Sequence, residues 1–125
     1  MKLSTFLSVV AVVAILFGIG FITAPGAVLA QYGITADHYI ALMARLFGTA
    51  LINVGLILWL ARNIVDPVGR RAIVLAGLIG DLLGFVVSLH AQMRGDVNAL
   101  GWSTIIIYGL FALGFAYFQF APKST

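Results

Sequence analysis

Cysteine is absent from this chain of 125 residues. That absence excludes disulfides, thiol nucleophiles, thiolate metal sites, iron–sulfur clusters and covalently attached c-type haem. Charge is nearly as scarce, with seven Lys and Arg, four Asp and Glu, and 9% charged residues in all. Soluble domains carry roughly 25% charged residues. What replaces charge is apolar sequence, 62% of the chain at a mean hydropathy of +1.13. The sequence also lacks a hydrolase elbow, a P-loop, a dinucleotide fingerprint and an HExxH metal motif. Gly18-Ile19-Gly20 lies inside an apolar run with no strand before it and is read as helix packing.

The apolar residues fall into four runs, about 3–24, 39–61, 71–93 and 102–120. Each is long enough to cross roughly 30 Å of hydrocarbon at a helical rise of about 1.5 Å per residue. The first run begins after Lys2 and stops at Pro25-Gly26, and Val28-Leu29-Ala30 looks like a signal-peptidase site. Its length exceeds the roughly 7–15 residues of a signal h-region, so it is read as a retained span. Arg62 to Arg71 and Gly95 to Gly101 are short connections, which make neighbouring spans antiparallel. The expected fold is therefore all-α, a single transmembrane domain over residues 1–125 built as an up-down four-helix bundle.

Lys2, Arg62, Arg70, Arg71 and Lys123 fall on one side of such a bundle, and Arg94 is the loop cation of the other. The positive-inside rule then puts both termini in the cytoplasm. This distribution suits membrane orientation rather than a nucleic-acid patch, so the expected partners are the lipid bilayer, other membrane subunits or a second copy, and no nucleic acid. Trp59, Trp102, Tyr32 and Tyr39 sit at span ends as interfacial anchors. The connection from Gly26 to His38 is apolar enough to lie in the outer interface as a short helix or lid, with Thr35 and Asp37 as candidate N-caps for the second span.

Apart from Arg71 at the edge of the third run, two charges lie inside the apolar runs, Arg45 and Asp81. An ionisable group at a helix centre costs roughly 2.5–3.5 kcal/mol on insertion scales and normally faces protein with a partner. On a helical wheel Gly77, Asp81, Gly84, Ser88 and Gln92 share one stripe, and Gly80 with Gly84 has the GxxxG spacing of close helix packing. On the second span Arg45, Thr49 and Asn53 step along one edge beside a seam of Ala41, Ala44, Gly48 and Gly55. In the last span Gly109, Ala112 and Ala116 form a small-residue seam, and Phe111, Phe115 and Phe118 form a packing or lipid-facing stripe.

The expected contact is an Arg45–Asp81 pair, with Asn53 or Thr49 filling the remaining hydrogen-bond capacity. Three roles stay open for it: a structural bridge that fixes helix register, a titrating Asp81 in a proton- or cation-coupled transporter, or the floor of a pocket for a lipophilic or anionic ligand. In the last case Gln92, Tyr108 and the Gly26–His38 connection are its walls. His38 and His90 both belong to the outer end and invite a bis-histidine haem or metal site, but their depths differ, so no metal and no cofactor is expected. Asp81, His90 and Tyr108 are of the right type for acid–base work. No nucleophile or metal signature accompanies them, and the chain is read as non-enzymatic.

Four spans, short loops and lone intramembrane charges, with Ala44-Arg45-Leu46-Phe47-Gly48 and Gly101-Trp102 before the last span, make the chain resemble small four-helix membrane proteins of bacteria, broadly DoxX-like families. The resemblance is architectural over the whole length, implies a bacterial cytoplasmic membrane and assigns no functional residue. Small multidrug-resistance exporters carry an essential glutamate in the first span, where this chain has no acid, and fluoride channels carry there a glycine-rich, arginine-containing motif that is also missing. The expected function is that of an accessory or structural subunit of a membrane assembly or a small lipophilic-ligand-binding module. The alternative is a minimal homodimeric transporter working through Asp81.

Overall fold

The computed structural model describes residues 1–121, so Lys123 lies outside the described residues. The described chain is helical: α1 (Leu3–Thr23), α2 (Pro25–Gln31), α3 (His38–Leu60), α4 (Pro67–Met93) and α5 (Gly101–Phe120). Four of these, α1, α3, α4 and α5, are long and apolar enough to cross a membrane. The chain divides into two compact units, Met1–Asn63 and Ile64–Thr125.

The first unit is an antiparallel hairpin of α1 and α3 with the short α2 between them. Its helices approach through glycine. A Cβ on Gly18 would stand 2.7 Å from the Gly48 carbonyl oxygen, one on Gly48 would stand 2.7 Å from the Gly18 carbonyl, and one on Gly55 would meet Ile15 at 2.5 Å. In an apolar medium helices gain little from hydrophobic association, so close backbone approach through small residues is what brings dispersion contacts into range. Leu7, Val10, Ala11, Ala14, Ala44 and Leu58 are buried along the same seam, and Phe21 meets Phe47 edge to face with centroids 5.3 Å apart. At the far end Ser4 Oγ donates to Asn63 Oδ1 at 3.1 Å.

Helix ends follow local chemistry. Asp37, one of the two expected caps, accepts from the Ile40 amide at 2.8 Å and starts α3. Pro25 opens α2 at its first position, where a missing amide hydrogen is harmless. Gly33 closes α2 at φ +80°, with Gly33 N donating to Ala30 O and Ile34 N to Leu29 O, the Schellman pattern. Gly95, at φ +77°, closes α4 the same way, with Gly95 N on Gln92 O and Asp96 N on Ala91 O.

The second unit is the antiparallel hairpin of α4 and α5. The sequence expectation started its first helix at Arg71, whereas α4 begins at Pro67. Asp66 and Pro67 read as breakers, yet Asp66 accepts from the Gly69 amide at 2.8 Å and Pro67 takes the first helical position. The core of this unit is Val74, Leu78, Ile105, Ala112 and Phe115.

Candidate functional site

The stripe of small and polar residues on α4 faces α5. A Cβ on Gly77 would stand 2.5 Å from the Phe115 ring, and one on Gly84 would collide with the Tyr108 ring. Each glycine is therefore a slot filled by an aromatic side chain of the opposite helix. Phe115 is 1% exposed, which assigns that member of the phenylalanine stripe to packing. Gly80 behaves differently. Nothing lies within 4 Å of where its Cβ would be, and the residue is exposed, so it takes no part in the α4–α5 contact.

Asp81 stands four residues after Gly77 and three before Gly84, one residue past the middle of α4. Both neighbours on its face are aromatic slots, and the Asp81 side is half-buried between them. Its carboxyl group is an electrostatic neighbour of the Tyr108 phenol. Among the described residues of its own unit it has no hydrogen-bond or ion-pair partner; the salt bridge of that unit is Arg94–Asp96, exposed, at 3.6 Å. About three turns further toward the connection, Gln92 donates Nε2 to the Asn98 carbonyl at 3.2 Å. Its Oε1 packs against Gly101 and is buried without a hydrogen-bond partner.

In the first unit Arg45 donates Nε to the Ile22 carbonyl at 3.4 Å. Ile22 is in the last turn of α1, where carbonyls have no intrahelical donor and the helix dipole favours a cation. Arg45 therefore serves the end of α1, a role that a wheel drawn for α3 alone does not show. Thr49, at the middle of α3, turns its Oγ1 back onto the Arg45 carbonyl at 3.1 Å. Asn53 lies one turn further, exposed, with no hydrogen-bond partner among the described residues. Arg45 and Asp81 belong to different units, and each is described with the neighbours of its own.

His38 is the first residue of α3, exposed, with its ring edge to face on Tyr39. His90 is exposed in the last turn of α4. Among the described residues no three of His, Asp and Glu gather as a metal site requires. The connection after α2 forms a shallow depression of about 360 Å³ lined by Gly26, Ala30, Gly33, Ile34, Thr35 and Ala36, none of them charged.

Comparison of the chain with family models, with curated proteins and with solved structures finds no match.

Proposed function

We propose that the chain is an integral membrane protein, inserted through α1, α3, α4 and α5, that works without catalysis as an accessory subunit of a larger membrane assembly. Asn53 carries this reading: an amide side chain near the middle of an apolar helix, exposed on the α1–α3 hairpin and without a partner among the described residues of that unit. In hydrocarbon such a group is stabilised by hydrogen bonds across to another helix, which is how Asn drives association of membrane spans. The apolar surface agrees, because fewer than one in five residues are buried across the apolar windows of α3, α4 and α5. The gathering of Lys2, Arg62, Arg70 and Arg71 supports an orientation with both termini cytoplasmic, and the DoxX-like resemblance supports a bacterial inner membrane as the setting.

The test is extraction in mild detergent followed by identification of chains that co-purify. The wild-type protein retains a partner chain in fixed ratio, and Asn53→Leu releases it.

A second reading has its own observation. Asp81 lies mid-helix without a partner among the described residues, beside Tyr108, which is what a titrating group of a homodimeric transporter requires. A homodimer that takes up substrate in liposomes and loses that uptake in Asp81→Asn would replace the accessory reading. A lone monomer with neither partner nor uptake would remove both and leave the lipophilic-ligand module.

A further inference from the structure

We propose that the α1–α3 hairpin carries a binding site for one anionic phospholipid, with an acyl chain in the groove between the helices and the phosphate against Arg62. The proposal rests on insertion of the hairpin in a membrane. An open groove of about 310 Å³ is lined by Val12, Ile15, Leu16, Leu56 and Trp59, an almost wholly apolar surface. It exists because Gly55 lets α1 approach at Ile15, while the larger side chains on either side of that contact stand apart. An unbranched hydrocarbon chain is the occupant whose shape and polarity fit a narrow apolar trough on a membrane helix pair.

The groove ends at Trp59, next to the last residue of α3, where an indole takes the headgroup level. Over that ring sits the Arg62 guanidinium, its central carbon 4.1 Å from the ring centroid. Nη1 donates to the Trp59 carbonyl at 2.6 Å, which anchors the guanidinium at the mouth of the groove. Five donors leave a guanidinium thus anchored with a free edge, and that fork matches the geometry of a phosphate. The Ser4–Asn63 hydrogen bond ties the start of α1 to the residue after Arg62 and so fixes the mouth of the groove. Acyl trough, indole lip and stacked cation follow one another in the order of chain, glycerol level and phosphate in a phospholipid.

The experiment uses the full chain bearing Trp102→Phe, which leaves Trp59 as the single indole. Trp102 belongs to α5 and is not part of the groove. The protein is reconstituted in phosphatidylcholine vesicles containing lipids brominated near the top of the acyl chain, as phosphatidylglycerol or as phosphatidylcholine, and Trp59 quenching is compared at equal mole fraction. Phosphatidylglycerol should quench about fivefold more effectively in relative affinity, the worth of one basic group at the surface. Arg62→Gln, with its helicity checked by circular dichroism, should bring the two lipids level. Soluble glycerol phosphate should leave the preference intact. Equal quenching by both lipids in the Arg62 protein overturns the site while leaving insertion standing, and so does a preference that survives Arg62→Gln. Loss of the preference to glycerol phosphate overturns the lipid as the ligand. Absence of quenching by any brominated lipid overturns insertion itself.

Discussion

The Tyr108 ring of α5 occupies the volume that a side chain at position 84 of α4 would need. That relationship makes Gly84 and Gly80, one turn apart on the same helix, opposite in consequence. Gly84→Ala forces Tyr108 or the helix axis to move, and overpacking of this kind costs about 1–3 kcal/mol. Gly80→Ala meets open space. Thermal unfolding in detergent should show a clear fall in midpoint for the first and an unchanged or higher midpoint for the second.

A similar contrast holds in the first hairpin. At Gly48 an added methyl group meets the Gly18 carbonyl and Phe21 Cβ, both held by helix backbone, so Gly48→Ala should lower the stability of the α1–α3 hairpin by about 1–3 kcal/mol. Gly26→Ala, with nothing within 4 Å, serves as the control and should melt with the wild type. Equal melting of both variants would mean that the helices do not approach through this seam.

Asp37 and Asp66 each hold the start of a long helix through one backbone amide. Replacing either by Ala removes a side-chain cap, a loss of about 1 kcal/mol. Hydrogen exchange should quicken at Ile40 in Asp37→Ala and at Gly69 in Asp66→Ala, each without effect at the other site. Exchange that rises at both amides in either variant would indicate general loosening rather than a lost cap.

For Arg45 the predicted readout is spectroscopic. With a labelled carbonyl at Ile22, Arg45→Met keeps most of the apolar stem but removes the donor, so the Ile22 amide I band should move to higher frequency as the hydrogen bond is lost. An unmoved band would show that this carbonyl is not served by Arg45.

Much of this architecture is legible in the sequence because long apolar runs have few alternatives. The expected spans at 3–24, 39–61 and 102–120 lie within a residue of α1, α3 and α5. The start of α4 was obscured by Asp66-Pro67, since the same residues that break a helix from within begin one from outside. On α4 the wheel groups Gly77, Asp81, Gly84, Ser88 and Gln92 as one face, because spacing within a helix is fixed by its pitch, and Gly77 and Gly84 of that face meet α5. What fills the slots is not written there. A glycine announces that something comes close, and only the fold says that it is Phe115 or Tyr108. Gly80 shows the converse, since its spacing from Gly84 satisfies GxxxG while its own surface stays open. The contact of Arg45 with Ile22 escaped for the same reason: it joins a side chain on one helix to a backbone atom on another.

The division of contacts at Asn63 and Ile64 has a consequence for biosynthesis. Every glycine of the α1–α3 seam, the Ser4–Asn63 tie and the Arg45–Ile22 bond are complete once residue 63 has been made. The first hairpin thus holds all of its closing contacts within itself and can lock before the α4–α5 hairpin has formed, so a chain interrupted after Asn63 would release a closed pair of helices rather than an open one.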